Sequence, residues 1–452
     1  MCRYIFSFRK KSFVINKIFC HAGRVTAVLF AALLASARPG FASLNDSASH
    51  PPPSSAPYPY SPPGNWLPGQ PGFLPAGQSY NDPVFGNAIT RLTNVYPATG
   101  DGSNPYAKND YWNSDGTLHV FEGGAMNVKT RAIARNVPTN AGDAGFDPAN
   151  ADAWLYVSGS QLRQVLISNG SDSLIKNFGV TLGSLGGSVD KADRTGRYFV
   201  LDIGGAYRIW DRQTDTLYSG SIANNTGGGW AGLTPDGNYL VIATNLKMSY
   251  RIDHAAKALN TTGTMFWSLC GDHGDLLSAS DGKNYLVTFE CHSEGAIYRV
   301  DITLPQSTGN LPKQRSDNRK LVDTDWSDDG HFSCVPRGPN RDWCLIDTES
   351  IDDTSTSQGT WRPFKSEIFM ANVLTGEVRR LAHHRSRNVP SLYCSDPRIN
   401  VNWDGTQAVF MSNYGATGVG GSCGYGDLYL LDLGMQAADN NPPQRPKNLR
   451  TW

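Results

Sequence analysis

From about residue 85 onward, apolar positions come in short runs rich in β-branched and aromatic residues, each entered through a turn signal and often followed by a second run ending in Asp. The units read "YWNSDGTLHVFEG" around Gly116, "FDPANADAWLYVSG" around Ala151, "DRTGRYFVLDIGGAYRIWD" around Gly196 and "LTPDGNYLVIAT" around Gly237. They continue with "SASDGKNYLVTFECHSEGAIYRVD" around Gly282, "WSDDGHFSCVPRGPNRDWCLID" at Gly330 and "VNWDGTQAVFMSN" around Gly405. No stretch carries the 3.6-residue stripe of an amphipathic helix. The turns recur every ~35 to ~48 residues, and the wider last gap is filled by an insertion, "TESIDDTSTSQGTWRPF". A repeat of this length carrying about four strands predicts an all-β, seven-bladed β-propeller over residues 85–435. The strand-like "NAITRLTNVYP" precedes the first full unit; pairing it into the last blade would close the ring and leave no exposed edge.

Ahead of the repeats, residues 51–75 hold ten prolines. Neither helix nor sheet accepts that density, so 43–84 is expected to be a Pro-rich extended linker whose aromatic residues let part of it lie on the next domain. Further upstream, basic residues and the apolar run "VTAVLFAALLA" precede "SARPGFAS". This predicts a signal peptide over 1–42, cut after Ala42, and a secreted or periplasmic protein without a membrane span. Residues 436–452 form a C-terminal tail. The 452-residue chain has 40 basic and 40 acidic side chains, so no net field draws nucleic acid. Six cysteines follow the signal: Cys270, Cys291, Cys334, Cys344, Cys394 and Cys423. In an exported chain an even count favours disulfides. Pairing sequence neighbours, 270 with 291, 334 with 344 and 394 with 423, would staple the loops discussed next.

The "WxxDGxxxxF" turns and the "YxxD" strand ends resemble the propeller repeats of the TolB type, over roughly residues 85 to 435. That resemblance implies the fold and says little about activity, since such rings host binding platforms and enzymes alike. Registered against the DG turns, His273 and Asp275 fall where the innermost strand of the fifth blade begins. His383, His384, Arg385, Tyr393 and Asp396 fall in the equivalent loop of the seventh. His331 joins them if "HFSCV" is the innermost strand of the sixth blade and moves to the opposite end if "DDG" is the first turn. The first register is preferred because it sets Cys334 opposite Cys344.

The resulting face would carry His273, His331, His384, Arg385 and Tyr393 as catalytic groups. Trp230, His292, Asp275 and Asp396 would bind substrate, with Asp275 orienting an imidazole. His273, His331 and His383 are an alternative set of ligands for a divalent metal. Trp361 is also expected on this face, whereas Trp112, Trp326 and Trp403 are expected to pack between blades. Imidazole, phenol and guanidinium together suit β-elimination on a uronate-containing polysaccharide. The chain is similar to exported propeller polysaccharide lyases in architecture, export and histidine-rich face, which implies an acidic poly- or oligosaccharide as partner. A non-catalytic ring binding a glycan or protein through the same face is the alternative. There is no P-loop.

Overall fold

The computed structural model describes residues 46–435 except 55–57, 61–66, 96–106, 108–110, 122–123, 139–143, 186–189, 225–228, 245, 269–272, 291–294, 307–316, 326–327, 351, 354–358, 388–395 and 417–425. Among the described residues the repeats fold as seven antiparallel blade sheets, with one further two-stranded sheet beside the sixth. Blade one holds Leu118–Phe121, Gly124–Asn127 and Ile133–Asn136, with Trp112 bridging His119 on its inner side. Blade two runs from Ala144–Asp147 to Asp172–Asn177, blade three from Leu182–Leu185 to Ile222–Ala223, and blade four from Trp230–Leu233 to Thr264–Trp267. Blade five is Gly274–Ser278, Asn284–Glu290, Ala296–Asp301 and Arg319–Asp323. Blade six is Phe332–Cys334, Trp343–Asp347, Glu367–Asn372 and Val378–His383.

In blade seven the C-terminal strands Asn400–Val401, Gln407–Ser412 and Asp427–Asp432 are completed by Ala88–Arg91, with Ile89 opposite Leu431. The sequence thus closes its ring as expected. A fifth strand, Ser79–Asn81, pairs outside Ala88–Arg91. The sheet therefore begins within the stretch expected to be linker, and Phe73 and Leu74 are buried against blades six and seven. The aromatic residues scattered among the prolines supply the apolar surface that makes this docking favourable.

Alternation along each strand gives every sheet two apolar faces, and a ring is the arrangement that buries both. The core is accordingly divided into seven clusters among the described residues, one between each pair of neighbouring blades. The tryptophans at the turns serve this packing. Trp112 Nε1 donates to Asn400 O at 3.0 Å and Trp403 Nε1 to Trp112 O at 3.0 Å, which joins blade seven to blade one through reciprocal bonds. Trp230 belongs here too: it is buried among Val241, Phe266 and Leu276. It is a core residue and not the substrate platform expected from its glycine-rich surroundings. Trp326 lies outside the described residues.

Closure is reinforced by a buried ion pair. Arg91 Nε donates to Asp427 Oδ2 at 2.9 Å, while Asp427 Oδ1 accepts from Thr93 Oγ1 at 2.6 Å and from Val95 N at 2.9 Å. Replacing Asp427 by Ala leaves the guanidinium buried without its carboxylate, which costs about 3–5 kcal/mol. A urea titration of Asp427→Ala should show a midpoint lowered accordingly, with the m-value little changed.

Candidate functional site

The innermost hairpin of blade six organises the site. Phe332–Cys334 pairs with Trp343–Asp347, and Cys334 lies opposite Cys344 with the two disulfide-bonded. The preferred register is therefore the observed one, and His331 begins the innermost strand. Beyond Gly330 the same hairpin continues as Asp328–Asp329 paired with Glu349–Ser350. Gly330 makes this possible. Its φ is 151°, and a Cβ there would lie 1.9 Å from Asp347 O, so only glycine allows the two strand pieces to be offset. The offset brings His331 and Glu349 together: His331 Nδ1 lies 2.8 Å from Glu349 Oε1 and 3.7 Å from Asp347 Oδ1.

His273, at the entrance to blade five, stacks on His331 with ring centroids 4.9 Å apart. Its Nδ1 is 2.9 Å from Asp329 Oδ1, and its side chain is 24% exposed, so this imidazole is open to solvent on one side. Asp396 arrives from the loop ahead of Asn400–Val401. Together His331, Glu349 and Asp396 place three ligand atoms within 4.8 Å of one another, the one such grouping among the described residues. Arg398 Nη2 approaches Asp396 Oδ2 at 3.9 Å.

Four carboxyls, those of Asp329, Asp347, Glu349 and Asp396, thus face two imidazoles. Burial pushes the Glu349 carboxyl well above its usual range, and the charges of Asp396 and Asp347 push it further. Asp396 is raised by burial, partly offset by His331. Burial acts in the same sense on Asp347, but the hydrogen bond and charge of His331 together with the bond from Ile399 N outweigh it and hold that acid below its usual value. Asp329 is likewise held low by His273 against the effect of burial. Without a metal the cluster therefore favours the protonated form of Glu349. One nitrogen and two carboxylate oxygens also suit a divalent cation of the manganese or zinc kind, whose charge would take that proton's place.

No family model and no curated protein matches the chain. Among solved structures, it is similar to an oligogalacturonate lyase from Vibrio parahaemolyticus, with 12% identity over 78% of this chain and 96% of that one and a TM-score of 0.48. It is similar also to an oligogalacturonate lyase in complex with manganese, with 15% identity over 78% and 95% of the two chains and a TM-score of 0.49. No residue's role is carried over from either.

The loop after Val378–His383 has a different task from the one its composition suggests. His384 is 1% exposed. Its Nδ1 accepts from Ser386 N at 3.0 Å and its Nε2 donates to Thr348 O at 2.9 Å, so both ring nitrogens are spent on backbone. It is a brace within blade six, between its second and fourth strands, and not a catalytic base. His383 is also fully buried, its Nε2 donating to His50 O at 2.7 Å and its Nδ1 lying 3.3 Å from Asp82 Oδ2. It stands apart from the grouped ligands, so the set His273, His331 and His383 does not assemble. Arg385, with φ 60°, donates to Tyr58 O and lies over the Tyr80 ring at 5.9 Å. It clamps the N-terminal segment instead of presenting a fork to substrate. Asp275 accepts from Cys334 N at 2.6 Å and so stitches blade five to blade six; the imidazoles are oriented by Asp329 and Glu349. Tyr393, His292, Cys270, Cys291, Cys394 and Cys423 lie outside the described residues.

Burial lowers the pKa of His384 to about 4. An unfolded histidine protonates near ~6.5, so stability falls as pH drops from that value toward about 4. His384→Ala should flatten this slope in thermal melts taken across the range, and the wild-type His384 resonances should stay neutral by NMR until about pH 4.

Proposed function

We propose that the chain is an exported carbohydrate-active propeller that cleaves a uronate-containing glycan by β-elimination at the His273, His331, Glu349 and Asp396 cluster. The observation that carries this reading is a one-quarter-exposed, carboxylate-oriented imidazole stacked against a buried group of acids whose surplus charge favours a proton or a cation. In the reaction a base takes the proton beside the uronate carboxylate. That electron pair forms the new C=C bond, the glycosidic C–O bond breaks and the departing oxygen takes a proton.

His273 suits the base. With Asp329 accepting from Nδ1–H, Nε2 is the acceptor, and the imidazolium formed is stabilised by the same carboxylate. Tyr393, whose loop runs into Asp396, is the proposed donor to the leaving oxygen. The four carboxyls by themselves repel an acidic sugar. A divalent cation on His331, Glu349 and Asp396 would reverse that field and acidify the proton to be removed, and Arg398 adds positive charge at the same rim. Export would place the Cys334–Cys344 bond in an oxidising compartment.

Incubation with a panel of acidic polysaccharides should raise absorbance near ~235 nm, where unsaturated uronates absorb. His273→Ala should lower the rate by about 10²- to 10⁴-fold, the usual contribution of a general base, and chelator should abolish it. Tight binding of a uronate glycan with no product on any substrate would instead favour a ring that binds without cleaving.

The cation is testable without activity. Because folding raises the pKa of Glu349, the protonated acid is the favoured folded form, and stability is lost as pH climbs through that raised value. Manganese or zinc should therefore raise the melting temperature more at pH 8 than at pH 5, contributing about 2.7 kcal/mol at 100-fold excess over Kd. Glu349→Gln should remove both the metal effect and the pH dependence.

A further inference from the structure

The segment that leads into the propeller crosses the face beside this cluster without joining a sheet. Its carbonyls are held by propeller side chains. Arg380 Nη1 donates to Ala48 O at 2.5 Å, His383 Nε2 to His50 O at 2.7 Å, and Arg385 to Tyr58 O. At Tyr60 it occupies a slot filled by that ring, which is 2% exposed. Trp361 meets that ring edge-on at 5.1 Å, and the Arg387 guanidinium covers it at 5.2 Å. Arg387 Nε bonds Asp353 Oδ1 at 3.0 Å, and Asp353 lies four residues beyond Glu349 on the same loop. The Lys365 ammonium sits 5.6 Å from the Trp361 ring.

Two features mark Tyr60 as a poor permanent occupant. Its hydroxyl and the Trp361 indole N–H are both buried without a hydrogen-bond partner among the described residues. Such groups are costly to leave unmet, and a residue selected only to fill the slot would be phenylalanine. The slot offers an aromatic ring, an unmet N–H and a guanidinium that is already paired with Asp353, and the Lys365 ammonium behind Trp361 is paired with Asp352 at 2.8 Å. That set matches a sugar ring bearing hydroxyls and a carboxylate better than it matches a phenol.

We propose that the slot holding Tyr60, walled by Trp361 and Arg387, is a subsite for one uronate residue of an acidic oligosaccharide, and that the segment carrying Tyr60 plugs it until such a ligand displaces it. This rests on the uronate reading of the neighbouring cluster and extends it along the glycan. Displacement breaks the side-chain-to-carbonyl tethers and the ring contacts of His50, Tyr58 and Tyr60 with Phe85, Tyr80 and Trp361, but no strand pairing within a blade, so the plug can leave without unfolding the ring.

Chymotrypsin cleavage at the Tyr60–Ser61 bond in the full chain tests this directly. Trigalacturonate should accelerate that cut at least fivefold, and the neutral sugar maltotriose should not. In calorimetry Tyr60→Ser should bind trigalacturonate about tenfold tighter than wild type, and Tyr60→Phe, which fills the slot without the unmet hydroxyl, about fivefold weaker. Trp361→Ala should erase the difference between the Tyr60 variants. Trigalacturonate binding with cleavage at Tyr60 unchanged would overturn the plug, and an equal response to maltotriose would overturn the uronate assignment of the slot. Ligand-dependent cleavage without any 235 nm product would support the slot while removing the lyase reading.

Discussion

Everything in this molecule depends on how the ring is closed. Each blade has two apolar faces, so no blade is stable until both neighbours are in place, and the last interface forms only when Ala88–Arg91 pairs with Asp427–Asp432. The buried Arg91–Asp427 pair fixes that junction, and Thr93 and Val95 satisfy the second carboxylate oxygen. Buried ion pairs are weak contributors when considered alone. Here the pair discriminates, because a shifted register would strand one of the two charges. The topology also brings the start of the ring to blade seven, next to blade six. The residues upstream of Ser79 then have to run across the face where the histidines lie, and Arg380, His383 and Arg385 are consumed in holding them there.

Much of the architecture was legible because it is repeated. The DG turns at Gly116, Gly237, Gly282 and Gly405 recur at a spacing that only a blade explains, and the closing strand was visible as a strand without a blade. Cys334 and Cys344 settled the register of blade six by facing each other. The site was legible in half. His273, His331 and Asp396 were recognised by position, but Glu349 was hidden in a stretch that reads as an insertion, since nothing in "TESIDD" distinguishes a buried acid from a solvated one. His383, His384 and Arg385 were overread for the same physical reason. A dense polar loop looks identical in sequence whether its donors face a substrate or pair with carbonyls of a segment three hundred residues away. The one available hint was the Pro-rich segment itself, whose interleaved aromatic residues need a surface to cover them.

The placement of charge distinguishes the bracing histidines from those of the acidic cluster. His384 is surrounded by backbone groups that are satisfied only by the neutral ring, and burial keeps it neutral to about pH 4. His331 is surrounded by acids, and burial together with the charges of Asp396 and Asp347 shifts Glu349 toward its protonated form. A fold selected for stability alone removes such conflict, because replacing surplus buried carboxyls with apolar residues of similar volume is commonly stabilising. Here the conflict is built with some care: Gly330 permits an offset that no other residue tolerates, and that offset brings Glu349 onto His331. The cluster sits where three adjacent entry loops converge. Strain of this kind is relieved by whatever binds, and that is the physical reason to look for the ligand at this place and not at the richer-looking loop beside it.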